Sequence, residues 1–267
     1  MKYRIGTAAR ILGVPSETLR FFEQRGVVKA EREESNGYRY FHSFDLNRIN
    51  AYRFYRGMGF GMDEAITLLE ASAFDLTSQM EAQMEWVRGQ IDHYSRLLAR
   101  ITIHHKSLRS LPHLVGKFHF ETRPSWHFLC HQEGRKFLDC ASYSQLVQAW
   151  LEEIPFLGFA LFIANVRDFG PGDILFGYCA SPELGTRDTL LDQFPEGVRE
   201  IDAQHALHTV IRTEDGEFLS HKHFEPALAF LNDEGYEPRG DVSGWILNEE
   251  KHGDKCKIGR ASCRERV

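Results

Sequence analysis

The sequence predicts a multidomain α+β chain: an N-terminal winged helix-turn-helix, then a long coiled-coil helix, then a C-terminal α+β domain. Three observations predict it. Two short amphipathic segments meet at Gly13 between Thr7 and Gly26. An apolar seam at steps of four and three runs from Met80 to Leu108. Beyond residue 118, aromatic-rich extended segments mix with two helical ones.

In the first region, Ala8, Ala9, Ile11 and Leu12 form the apolar face of one helix, and Gly13 suits the left-handed conformation that ends it. Ser16 and Thr18 can cap or open a second helix, with Leu19 and Phe22 inward and Val14 just before it. The second helix of such a pair can lie in a major groove. Ser35-Asn36-Gly37, flanked by Val27-Val28 and Tyr38-Arg39-Tyr40-Phe41, reads as a hairpin, that is, a wing. Ser43 is expected to cap a third helix with Leu46, Ile49, Tyr52 and Phe54 inward. Gly57-Met58-Gly59-Phe60-Gly61 breaks it before a fourth helix over 62–69.

The seam residues Met84, Val87, Ile91, Tyr94, Leu98 and Ile101, with Met80, His105 and Leu108 at its ends, hold a heptad spacing. They predict a helix over 76–111, about 50 Å long, ended by Pro112. Pairing between two chains, antiparallel or parallel, explains the seam better than packing within one, with His105 setting register.

The third region, 118–256, is expected to hold strands over 118–122 and 126–130, joined across Arg123-Pro124-Ser125, and over 158–166, 173–179 and 206–213. Helices are expected over 144–154, stopping at Pro155, and over 224–234, with Pro226 in the first turn and Gly235 after the end. The last residues, 257–267, read as one frame of a translated sequencing adapter. They are read as an artefact, with the natural last strand missing.

Composition bounds the function. The chain is 42% hydrophobic and 26% charged, ordinary for a globular protein. No apolar run approaches the roughly 20 residues that span a bilayer, and the N-terminus lacks a signal-peptide layout. Five cysteines without regular spacing argue against a disulfide framework and for a cytoplasmic setting, with no membrane partner. Residues 1–60 carry eleven Lys/Arg against six Asp/Glu, whereas the whole chain carries −6. A basic head on an acidic body fits a nucleic-acid reader joined to something else.

Ile5-Gly6-Thr7-Ala8-Ala9, Thr18-Leu19-Arg20-Phe21-Phe22-Glu23, Gly37-Tyr38-Arg39-Tyr40-Phe41 and Arg56-Gly57-Met58-Gly59-Phe60 lie in the order of the MerR family of transcription regulators, which residues 1–75 resemble closely. The resemblance implies a homodimer paired through an antiparallel coiled coil over 76–111. It also implies double-stranded DNA as partner, a palindromic operator inside a promoter, and activation by DNA distortion that realigns the promoter for RNA polymerase. Residues 118–256 resemble, less strongly, the GyrI-like effector-binding domain of multidrug-sensing members, on a leading strand ending in Arg-Pro, the strand–helix layout and aromatic strands.

From these sources come the candidate residues. Arg20 projects from the recognition helix, where a guanidinium forks onto guanine or clamps phosphate. Ser16 and Thr18 sit at the phosphate-favouring N-terminus of that helix. Tyr38, Arg39 and Arg56 are carried over from the family as backbone contacts, and Tyr40 can substitute for a tyrosine hydroxyl missing at Phe21 and Phe22. Trp126, Phe162, Tyr178 and Trp245 are the rings expected to hold a small hydrophobic or cationic organic effector. The buried glutamate usual in relatives has no clear counterpart: the region reads Asp241-Val242-Ser243-Gly244-Trp245, with Glu249 and Glu250 later. Cys130, Cys140 and Cys179 lack metal-ligand spacing. On a strand His127 and His131 face one side and Cys130 the other, and His221 and His223 fare no better, so no metal or cofactor is expected. Two alternatives are a ligand-independent repressor or architectural DNA binder with a degenerate C-terminal domain, and a GyrI-like hydrolase. The second lacks a nucleophile–base pair, since Ser220-His221 adjacency proves nothing.

Overall fold

The computed structural model describes residues 1–33, 37–138, 144–187, 190, 197–213, 219–237, 240–252 and 255–266. The chain divides into two compact units, Met1–Asp92 and His93–Val267. Among the described residues no helix is long and apolar enough to cross a membrane.

The first unit runs β1 (Lys2–Arg4), α1 (Ile5–Leu12), α2 (Ser16–Gln24), β2 (Glu31–Arg32), β3 (Arg39–His42), α3 (Ser43–Gly57) and α4 (Met62–Leu68), and reaches into α5 (Ala73–Leu114). Gly13 ends α1 at φ 66°, where its N–H meets the Ala9 and Arg10 carbonyls. A residue with a Cβ is disfavoured there. Ala8, Leu19, Phe22, Phe41, Ile49 and Tyr52 close one buried core, with Phe22 edge-on to Tyr52 at 5.3 Å. The wing sheet is antiparallel in the order β1-β3-β2. The Glu31 carboxylate ties its three strands, accepting from Lys2 Nζ at 2.5 Å and pairing with His42 Nε2 at 2.7 Å. Those bonds hold its pKa below the usual range. Gly37 turns the wing at φ 69° and donates to the Glu33 carbonyl at 2.8 Å. Ser35 and Asn36 of the predicted turn, and Cys140, lie outside the described residues.

Several local expectations are corrected. Of its two expected roles, Ser16 takes the second and opens α2: Pro15 holds the N-cap position, and no side chain caps there. Ser43 likewise begins α3, where the His42 N–H donates to the Asp45 carboxylate at 2.6 Å. Phe54 is 60% exposed, because it falls about 140° around the helix from Ile49. Tyr55 turns inward instead, edge-on to Phe60. α5 outruns 76–111 at both ends. Ser72 Oγ accepts from the Asp75 N–H at its start, and Pro112 sits inside the last turn rather than ending it. A proline forfeits its own hydrogen bond, and the turn still closes through Val115 N–H to the Leu111 carbonyl at 3.2 Å.

The second unit adds β4 (His119–Arg123), β5 (Trp126–Glu133), β6 (Lys136–Phe137), α6 (Ser144–Glu152), β7 (Gly158–Ile163), β8 (Ile174–Ala180), β9 (Arg199–Ile201), β10 (Gln204–Arg212), α7 (Glu225–Asp233), β11 (Val242–His252) and β12 (Lys255–Arg266). The strands make one sheet in the order β4-β10-β12-β11-β7-β8-β5-β6, with β9 beside β5. β4 and β5 are consecutive in the chain but do not pair with each other: β4 joins β10, and β5 joins β8. Alternation along β7 splits the core between two faces. Ala160 and Phe162 pack with Trp126, Phe128 and Cys179, while Leu161 and Ile163 pack with Ile174, Phe224 and Val242. Residues 257–267, set aside on sequence, fall largely within β12, which pairs with β10 and β11. Ladder bonds use backbone groups alone, and 255–266 contains no proline to interrupt them.

Candidate nucleic-acid interface

α2 buries Leu19 and Phe22, which leaves Glu17, Arg20, Phe21, Gln24 and Arg25 toward solvent. Arg20 is loosely paired with Glu17 at 3.9 Å, one turn back. Such an exposed pair is weak, so the guanidinium is available to a ligand. Ser16 and Thr18 are half-buried at the start of the helix. Phe21 is 37% exposed, with the Arg25 guanidinium over its ring at 5.5 Å.

The wing is fastened to this helix. Arg39 Nε donates to Glu23 Oε2 at 2.8 Å, and Arg32 approaches the other oxygen at 3.9 Å. Tyr38 is exposed, with the Arg4 guanidinium 5.6 Å from its ring centre. A hydrogen bond to Tyr40 holds the Arg4 pKa above its ordinary value. Arg56 is exposed and donates to the Phe60 carbonyl, so it braces the turn between α3 and α4. Arg53 donates to the Leu12 carbonyl at 2.9 Å, at the end of α1. Sequence reading missed Arg4, Glu23, Arg25 and Arg53. Arg4 and Arg53 meet partners far along the chain, and no periodicity signals such pairs.

Along α5 the seam residues Met84, Val87, Ile91, Tyr94, Leu98 and Ile101 are all exposed, from 37% at Val87 to 66% at Leu98.

The four rings expected around an effector separate. Trp126 and Phe162 are buried in core, and the Arg199 guanidinium lies 4.2 Å from the Phe162 ring. Tyr178 and Trp245 line a cavity of about 700 Å³ within the second unit, together with Arg100 and Leu108 of α5 and Leu157 and Phe159. Trp126 touches it only indirectly, edge-on to Trp245 at 6.4 Å.

Among the described residues no group of three or more His, Cys, Asp or Glu could hold a metal ion. Cys130 packs beside the Trp126 cluster, where burial raises its thiol pKa. The register of β5 shifts at a bulge between Cys130 and Gln132, beside His131. His131 stacks on Tyr178 at 4.5 Å, and burial lowers its pKa.

Residues 3–72 match the family model "MerR HTH family regulatory protein". The HTH-type transcriptional regulator SkgA of Caulobacter vibrioides is 30% identical over 96 residues, 36% of this chain and 38% of SkgA. The HTH-type transcriptional activator TipA of Streptomyces coelicolor is 29% identical over 101 residues, 38% of this chain and 40% of TipA. The chain thus spans about two-fifths of the length of these relatives. A solved structure of HiNmlR, a MerR family regulator lacking the sensor domain and bound to promoter DNA, is 26% identical. It covers 37% of this chain and 79% of its own at a TM-score of 0.30. By matched sequence and by the order of its helices and wing, the segment from residue 3 to residue 72 is similar to a MerR-type helix-turn-helix unit.

Proposed function

We propose that this chain is a cytoplasmic transcription regulator. It binds a palindromic promoter operator as a homodimer and activates transcription by distorting the DNA when a small organic effector occupies the second unit. One observation carries the DNA-binding part: α2 presents Arg20, Phe21 and Gln24 on its open face while Glu23, on the same helix, grips Arg39 of the wing. Helix and wing therefore move as one piece, so a groove contact and a backbone contact arrive with fixed spacing. Arg20 reads base edges; Ser16, Thr18, Tyr38, Arg39, Tyr40 and Arg56 position the duplex. The exposed apolar seam of α5 supports pairing of two chains, which a twofold operator requires. RNA polymerase is engaged indirectly, through the realigned promoter. The cavity beside Tyr178 and Trp245 supports an effector.

A gel shift of the purified chain on the DNA upstream of its own coding sequence tests this. A discrete shift that weakens steeply with salt is expected; no shift at low salt overturns it.

A further inference from the structure

The cavity of the second unit has a sign. Its walls are apolar or aromatic for the most part, and its polar side chains are Arg100, His104, His105, Ser107 and the Tyr178 hydroxyl. No aspartate or glutamate lies among the described lining residues. Glu153, next to Ile154 of the wall, is committed elsewhere, to Arg96 at 3.4 Å and Arg187 at 3.6 Å. Arg100 donates from Nε to the Pro155 carbonyl at 3.0 Å and from Nη2 to the Leu157 carbonyl at 3.2 Å. Both acceptors are neutral, so they fix the guanidinium against the wall without cancelling its charge. Burial pulls its pKa down.

We propose that this cavity takes an amphiphilic monoanion, an apolar chain or ring system ending in a carboxylate, with Arg100 as its counter-ion, rather than an organic cation. This rests on the effector role proposed above and differs from the hydrophobic or cationic effector expected from sequence. A cation here would meet a fixed guanidinium with no carboxylate among the described lining residues to offset it, whereas an anion completes a charge-assisted pair in a partly dry site. The volume suits a ligand of drug size.

Three probes with one twelve-carbon tail, dodecanoate, dodecanol and dodecyltrimethylammonium, separate the cases. They are titrated calorimetrically into the full chain below their micellar concentrations. Dodecanoate is expected to bind about tenfold or more tighter than dodecanol, with the ammonium weakest. Arg100→Gln should remove that preference and leave dodecanol affinity unchanged. Should that variant melt early, Leu97→Trp, which fills the cavity, should abolish binding of the fatty acid in a folded protein. Equal affinities, or tighter binding of the ammonium, overturn the inference. So does dodecanoate affinity that falls as protein concentration rises, since a second copy would then fill the cavity. A protein that shifts its DNA but binds none of the three refutes this inference and leaves the DNA-binding proposal standing.

Discussion

The two units place chemistry by opposite means. In the first, the candidate residues sit on short stretches of chain, 16–25 and 38–40, with Arg56 after them, around one small core. In the second, the cavity is assembled from α5, the 154–159 segment, Tyr178 and 245–247, which lie far apart in sequence. A surface that reads a duplex needs exposed charges at fixed spacing, and a helix and a hairpin supply these locally. A cavity needs walls from several directions, and only tertiary structure supplies those.

The seam offers the strongest way to break this contrast, because the outward-facing unit is expected to work only in pairs. Replacing Ile91 and Leu98 with lysine puts two charges where two apolar rods are proposed to meet. Sedimentation is expected to show monomers, and operator affinity to fall by about a hundredfold or more as the second half-site loses its effective concentration. Intact dimers would rule out the seam.

Arg20→Ala comes next. It leaves the core of the first unit untouched and removes the one guanidinium on the open face of α2 that is proposed to reach base edges. A loss of about 1–3 kcal/mol is expected, concentrated at one base-pair position. Footprints that keep both affinity and base preference would assign Arg20 to solvent.

The first unit was largely legible in sequence for the same physical reason. Ala8, Leu12, Leu19 and Phe22 declare helix faces within a few residues, Gly13 declares the break, and Tyr38 to Phe41 alternate as a strand. The details that failed are ones that tertiary contacts decide. Asp45 caps α3 from inside, so Ser43 is spared, and Pro112 is tolerated because the turn around it closes elsewhere. The second unit gave up β4, β5, β7, β8 and β10 but not β6, β9, β11 or β12, and none of the strands' neighbours. Nothing in 118–133 tells that β4 and β5 part to different places in the sheet, or that the His131 ring stacks on Tyr178. Of the four aromatic residues expected to meet a ligand, aromatic character alone could not sort Tyr178 and Trp245 on the cavity from Trp126 and Phe162 in the core.

Phe21 and Phe22 sharpen the distinction between outward and inward positions on a single helix. Phe22 is 7% exposed and packs edge-on to Tyr52. Phe22→Tyr must therefore place a hydroxyl in the core, with an expected stability loss of about 1–3 kcal/mol in thermal or urea unfolding. Phe21, on the open face, has no such constraint. Phe21→Tyr should leave stability unchanged and tighten DNA binding about two- to fivefold through one added phosphate hydrogen bond. Equal effects from the two substitutions would deny that α2 has a core side and a DNA side.

The smallest effect is expected from deleting residues 257–267. They contribute to β12, in the second unit, and no residue of the proposed DNA surface lies there. The basic charge of the segment is the only property that could reach a duplex, and it would act through a sequence-independent, salt-sensitive attraction. Deletion is therefore expected to leave both the operator shift and its salt slope unchanged. A flatter slope would mean that the tail neutralises phosphates, and the division of labour between a reading unit and a sensing unit would have to be redrawn with a second basic contact in the sheet-rich half.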